Sequence, residues 1–175
     1  MEPIVEDVLA PGLEVVFCGT APSAASAARR AYYAHPGNRF WRILHEAGFT
    51  PRRLDPEEFR KLPDFGIGLT DVVKHASGQD ADLSPADFDP ATLHAKIERA
   101  APKRIAFTSK RAALEGAGLR AAAYGPQGEH FAGAEIWVLP STSGLAVKFW
   151  DERPWHALAA TLSHAKPRPK GEVSF

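Results

Sequence analysis

The chain has one cysteine, one methionine, no net charge and no long apolar run, and each of these shortages narrows what it can be. With Cys18 alone no internal disulfide forms, and its place at the end of an apolar segment suits a small buried side chain better than a nucleophile. Lysine plus arginine and aspartate plus glutamate both number 21, so no uniform field draws the protein toward a polyanion. The N-terminus does not join a basic segment to an apolar core, and no run is long enough to span a bilayer, which points to a cytoplasmic protein without a membrane partner. The seven histidines show no metal-ligand spacing, and neither a metal nor an organic cofactor is implied. The phosphate-loop lysine and the glycine spacing of a dinucleotide-binding turn are both missing.

What is present is enough for one core. A length of 175 residues with 45% hydrophobic content fits a single domain over residues 1–165, followed by a basic, proline-containing tail over 166–175 that reads as extended. Four apolar runs read as strands: Leu13 to Cys18, Ile67 to Val73, Arg104 to Thr108 and Glu135 to Leu139. They do not alternate with polar residues, as expected of a sheet covered on both faces. Helical patterns fill the gaps. Asn38 to Ala47 carries Phe40, Trp41, Ile43 and Leu44 at helical spacing, Asp55-Pro56-Glu57-Glu58 and Asp89-Pro90 open further helices, Ser109 caps another, and Pro154 starts the last. Alternating strands and helices predict an α/β three-layer sandwich around a parallel four-stranded sheet.

In such a fold, ligands bind at the carboxyl ends of the strands, which singles out the loops at Gly19 to Ser23, Thr70 to His75, Thr108 to Lys110 and Pro140 to Val147. The turn Gly19-Thr20-Ala21-Pro22-Ser23 is built of small residues whose backbone amides can approach an anion or a carbonyl edge, although any tight strand-to-helix turn looks the same. Downstream, Tyr33 stands in a polar loop before the Pro36-Gly37 turn and a helix that Asn38 can cap, with no core to join by periodicity. An aromatic face beside backbone donors makes a slot for a flat ring, and stacking on a base stabilises binding by roughly 1–3 kcal/mol. Charge is distributed unevenly: Arg29, Arg30, Arg39, Arg42, Arg52 and Arg53 crowd one region, Asp80, Asp82, Asp87 and Asp89 another. That is consistent with one basic face, and equally with ordinary solvated surface.

Gly19 to Ser23, Tyr33 to Trp41 and Pro140-Ser141-Thr142-Ser143-Gly144-Leu145 together resemble the ordered motifs of the mismatch-specific uracil-DNA and thymine-DNA glycosylase family, over about Leu13 to Leu162. The stretch Ala34 to Trp41 is the most specific part. The resemblance implies a monomer that flips uracil out of double-stranded DNA containing uracil or a mismatch, hydrolyses the N-glycosidic bond and leaves an abasic site, without a cofactor. Gly19, Thr20, Ala21, Ser23 and Tyr33 are the implied base-binding residues. Ser141, Ser143, Gly144 and Leu145 are the implied DNA-binding loop, with Leu145 as the wedge that fills the stack or, alternatively, a cap on the core. Lys148 and Lys110 are candidate phosphate contacts, or solvated charges.

The chain departs from the family where the chemistry lies. The usual first motif is Gly-Ile-Asn-Pro-Gly, whose asparagine positions the attacking water, and this chain has Ala21 there. A methyl group neither orients nor deprotonates water. Asp71, at the carboxyl end of the second strand and expected across the crevice from the Gly19 turn, is the candidate replacement; a general base supplies roughly 10²–10⁴-fold. The other reading makes Asp71 a turn or cap carboxylate. Ser141-Thr142 also replaces the family's Asn-Pro. No lysine is expected at a Schiff-base position, so lyase activity is not expected. A catalytically disabled binder of damaged DNA and a hydrolase of free nucleosides are the alternatives.

Overall fold

The computed structural model describes residues 2–163, so the tail expected over 166–175 lies outside the described residues. Strand β1 (Val15–Gly19) leads through a short helix α1 (Ala24–Arg29) to α2 (Phe40–Glu46) and a 3-10 helix (Pro56–Phe65), and β2 (Ile67–Asp71) follows. Then come α3 (Pro90–Ala100), β3 (Arg104–Phe107), α4 (Lys110–Ala117), the hairpin of β4 (Gly125–Phe131) and β5 (Ala134–Val138), and α5 (Arg153–Ala160).

The sheet has the order β2-β1-β3-β5-β4, and its first four strands are parallel. These are the four apolar runs of the sequence. The expectation of four strands is corrected by β4, which pairs antiparallel with β5 at the edge. Its sequence, Gly-Pro-Gln-Gly-Glu-His-Phe, is polar and mostly exposed, and the pairing is irregular between Pro126 and His130, so it has no apolar period to announce it. An edge position tolerates both the proline and the charge. The hairpin turns at Ala132 and Gly133, both at positive φ (50° and 88°), the geometry of the tight two-residue turns that suit the twist of paired strands.

Two cores lie on opposite faces of the sheet. Val15 and Phe17 of β1 join Ile67, Leu69, Ala106 and Trp137 against α2 and α5, whereas Val16 and Cys18 join Ile105, Phe107, Ile136 and Val138 against α3 and α4. Successive strand residues pointing to opposite faces produce this division. Helix α1 has no counterpart among the helices read from the sequence. It begins at Ser23, whose Oγ accepts from the Ser26 amide at 3.1 Å, and it ends where Arg30 adopts φ 51°.

The N-terminal segment closes the other edge of the sheet. Val8 exchanges both backbone hydrogen bonds with Leu69, each 2.9 Å. A Cβ at Gly68 would lie 2.6 Å from the Val8 carbonyl oxygen, so glycine is required for this approach. Among the described residues no helix is long and apolar enough to cross a membrane.

Candidate active site

The carboxyl ends of β1, β2 and β3 meet at Gly19. Parallel pairing puts Gly19 in register with Asp71, so the two are neighbours on adjacent strands and not partners across a crevice. A Cβ built on Gly19 would lie 2.7 Å from Asp71 Oδ1, 3.2 Å from the Tyr33 hydroxyl and 3.5 Å from Thr108 Oγ1. Only a hydrogen at Gly19 leaves room for these oxygens to converge. Thr108 stands in a loop singled out from the topology, but nothing in its own sequence distinguishes it. It is fixed by its amide, which donates to the Cys18 carbonyl at 3.0 Å.

Asp71 is 4% exposed, and among the described residues its Oδ2 finds no hydrogen-bond partner. The cap-carboxylate reading requires an amide on the carboxylate, and among the described residues none donates to Oδ2. Burial is the main cause that raises the carboxyl from 3.8 to about 6; Lys74 and Lys96 oppose this, and Asp7 adds to it. A lysine stands close on this side: Lys74 Nζ is 3.9 Å from Oδ2, too far for a hydrogen bond, and is ion-paired to Asp7 at 2.9 Å.

The turn after β1 is pinned by its carbonyls. Gly19, Thr20 and Pro22 accept from the amides of Val72, Val73 and Gly78 at 2.8–2.9 Å. Thr20 Oγ1 lies 3.2 Å from Ser109 Oγ, which ties the turn to the start of α4. Among the described residues, the amides of Thr20 and Ala21 donate to no acceptor within the protein. Ala21 is half-buried, and Ser23, exposed, spends its hydroxyl on capping α1.

Tyr33 is not stranded in its loop. Its ring stacks on Phe40 with centroids 4.0 Å apart and planes 18° apart, and it packs on the edge of the first core. The hydroxyl lies 3.1 Å from Thr108 Oγ1, and burial holds the phenol well above its usual value, so it stays neutral. Its φ of 51° is a left-handed conformation rare for a bulky residue and costs of order 1–3 kcal/mol, which the surrounding packing must sustain. Asn38 caps α2 from one residue earlier than the helix boundary: Arg39, next to the helix, makes no side-chain cap bond, while Asn38 Oδ1 accepts from the Phe40 amide at 2.9 Å.

The Ser141 to Leu145 loop docks against the Pro36-Gly37 turn. Arg39 joins them, donating its amide to the Thr142 carbonyl at 2.9 Å and a guanidinium N–H to the Ser143 carbonyl at 3.2 Å. A Cβ at Gly144 would lie 3.1 Å from the Gly37 carbonyl oxygen, so the contact is close. Ser143 donates its amide to Ser141 Oγ, and its own hydroxyl accepts from Leu145 N, both at 3.2 Å. Leu145 does not cap the core; it is 77% exposed, with Val147 at 63% and Phe149 at 67% on the same loop. Lys148 is exposed there, and Lys110 is exposed at the start of α4 with its ammonium 4.6 Å from the centre of the Tyr124 ring. Half of the arginine-rich region is matched by carboxylates: Arg29 pairs with Glu57, Arg42 with Glu46 and Arg52 with Glu58.

A buried carboxylate, two available amides, an aromatic ring and an exposed apolar loop thus share one end of the sheet. The chain is similar to the solution NMR structure of a candidate uracil DNA glycosylase from Methanosarcina acetivorans. The two are 26% identical with a TM-score of 0.60, over 87% of this chain and 92% of that one. Residues 6–162, which hold every strand and the whole of this site, match the Uracil DNA glycosylase superfamily, and the chain belongs to that family.

Proposed function

We propose that the protein is a monofunctional DNA glycosylase that flips uracil out of double-stranded DNA and hydrolyses its N-glycosidic bond, with Asp71 as the general base. The observation that carries this reading is the Asp71 carboxylate, buried, unpartnered at Oδ2 and raised to about 6, at the point where Gly19, Tyr33 and Thr108 converge. Near neutral pH such a group is mostly ionised yet still basic enough to accept a proton.

In the reaction, water attacks C1′ of the deoxyribose as the bond from C1′ to the base breaks, and the water proton passes to Asp71. The negative Asp71 side chain also stabilises the positive charge developing on the sugar. The departing base takes the bonding electron pair, and the Thr20 and Ala21 amides, which have no acceptor of their own, are placed to stabilise it. Phe40 backs one face of the Tyr33 ring, and the base stacks on the other. Gly19, Ser23 and the small side chain of Ala21 border the pocket. Leu145 enters the duplex in place of the extruded nucleotide, held by Ser141, Ser143 and Gly144, while Lys110 and Lys148 contact phosphates.

The Tyr33 to Trp41 stretch supports placing the chain on the mismatch-specific branch of the superfamily. Ala21 favours a second reading, a binder of damaged DNA that has lost its chemistry. Incubation with a uracil-containing duplex and alkaline cleavage at abasic sites separates the two: the proposal expects product from the wild type and none from Asp71→Asn. Full excision by Asp71→Asn removes Asp71 from the mechanism, and binding without product from the wild type supports the second reading.

A further inference from the structure

Asp71 has a second neighbourhood, on the side of its Oδ2. Lys74, 8% exposed, reaches Asp7 at 2.9 Å and donates to the Tyr32 hydroxyl at 3.1 Å, with Oδ2 of Asp71 at 3.9 Å. Asp7 is held in turn by Lys96 at 2.6 Å and by the Thr70 hydroxyl at 2.6 Å. Burial opposes ionisation of Asp7, but Lys74, Lys96 and Thr70 outweigh it and keep that carboxyl below its usual value. A cavity of about 60 Å³, lined among others by Asp71, Lys74, His75, Asp89 and Lys96, adjoins the cluster. A space of that size admits water. The cluster is assembled from the N-terminal segment, the end of β2 and α3.

We propose that Lys74, anchored by Asp7, is a positioning residue that governs the charge of the Asp71 carboxylate from the side of its second oxygen. The inference rests on Asp71 as the general base. The Lys74 ammonium favours the carboxylate form, and Asp7 both holds Lys74 in place and repels Asp71. Also around Asp71 are Lys96 from α3, the Tyr32 phenol, held above its usual value by burial and therefore neutral, the Tyr33 hydroxyl, Thr108 after β3 and Cys18 of β1; His75, Asp87 and Asp89 line the cavity. Neither Tyr33 nor Cys18 carries charge near neutral pH, because burial raises both.

The test is the titration of Asp71 by carboxyl carbon NMR, beside the pH profile of single-turnover uracil excision. Lys74→Met is expected to raise the Asp71 midpoint by roughly 1–3 pH units and to move the acid limb of excision up with it. Asp7→Asn removes a repelling charge and frees Lys74 for Asp71, so its midpoint is expected to fall, and Lys74→Arg is expected to stay near the wild type. Opposite shifts are the signature, because general loosening would not move two neighbours' variants in opposite directions. An Asp71 midpoint that is unchanged or lower in Lys74→Met overturns the proposal. If Lys74→Met does not fold, Asp7→Asn decides alone, and a rise or no change in its midpoint overturns it. The NMR midpoint needs no activity: opposite shifts without abasic product from the wild type would uphold the coupling while sinking the glycosylase reading.

Discussion

Replacing Asp71 with asparagine should stabilise the fold while abolishing the proposed chemistry. The folded protein raises this carboxyl from 3.8 to about 6, chiefly by burial, so its charged form is disfavoured on folding. A raised carboxyl contributes stability that is fully present below 3.8 and is lost as pH rises through about 6. A gap of that size corresponds to about 3 kcal/mol at pH 8. Asparagine has nearly the same shape and never ionises, so Asp71→Asn should be more stable than the wild type by up to about 3 kcal/mol at pH 8, with the difference closing below pH 4. For a domain of this size the gain corresponds to roughly 6–12 °C in melting temperature. Thermal melts and urea unfolding of both proteins at half-unit steps between pH 4 and 8 measure it directly. An Asp71→Asn variant that is less stable at pH 8, or a difference that does not change with pH, would refute the reasoning. Lys74 keeps its ion pair with Asp7 in the variant, so no buried cation is left unmatched.

Gly19→Ala should cost far more activity than stability: its Cβ would lie 2.7 Å from Asp71 Oδ1 and must push that carboxylate aside, an overpacking cost of about 1–3 kcal/mol, so a variant with wild-type excision would contradict the geometry. Tyr33→Leu removes the stacking ring and should weaken binding of uracil-containing DNA by roughly 1–3 kcal/mol in fluorescence titrations, whereas Tyr33→Phe should retain most of it. Leu145→Ala, at a side chain 77% exposed, should leave the melting temperature nearly unchanged yet slow excision from a duplex more than from a single strand; equal effects on both substrates would remove it as a wedge. Replacing both Lys110 and Lys148 with glutamine should flatten the dependence of log affinity on log salt by about 2, and an unchanged slope would show that neither touches phosphate.

The four parallel strands are legible because each is apolar on both sides, the pattern that a covered sheet demands, and the division of Val15 and Phe17 from Val16 and Cys18 follows from the pleat. The rule that ligands gather at the carboxyl ends of such strands then directs attention to Gly19, Asp71 and Thr108 before any coordinates are known. Strand β4 is not legible because an edge position places no apolar demand on its residues. Helix α1 escapes notice because its six residues are mostly alanine, with no apolar stripe to set a period. Tyr33 misleads for a different reason: its contact with Phe40 depends on a left-handed turn at its own backbone, and periodicity within α2 carries no information about a residue outside the helix.

The charge environment of Asp71 lies deepest out of sight, and the reason is the number of chain segments that compose it. Lys74 is three residues away, but whether it reaches Asp71 depends on Asp7, which is held at the edge of β2 by the Val8–Leu69 pairing, and on Lys96 from α3. Each of these residues alone reads as an ordinary surface charge in a sequence with no net charge. Only in the folded chain do two cations and two anions gather in one partly buried cluster, and their charges, together with burial, set the protonation of Asp71. A loss of the asparagine at Ala21 therefore does not by itself decide whether chemistry remains. On the proposed mechanism, the deciding quantity is the charge on a carboxylate one strand away, beside which Lys74, Asp7 and Lys96 stand.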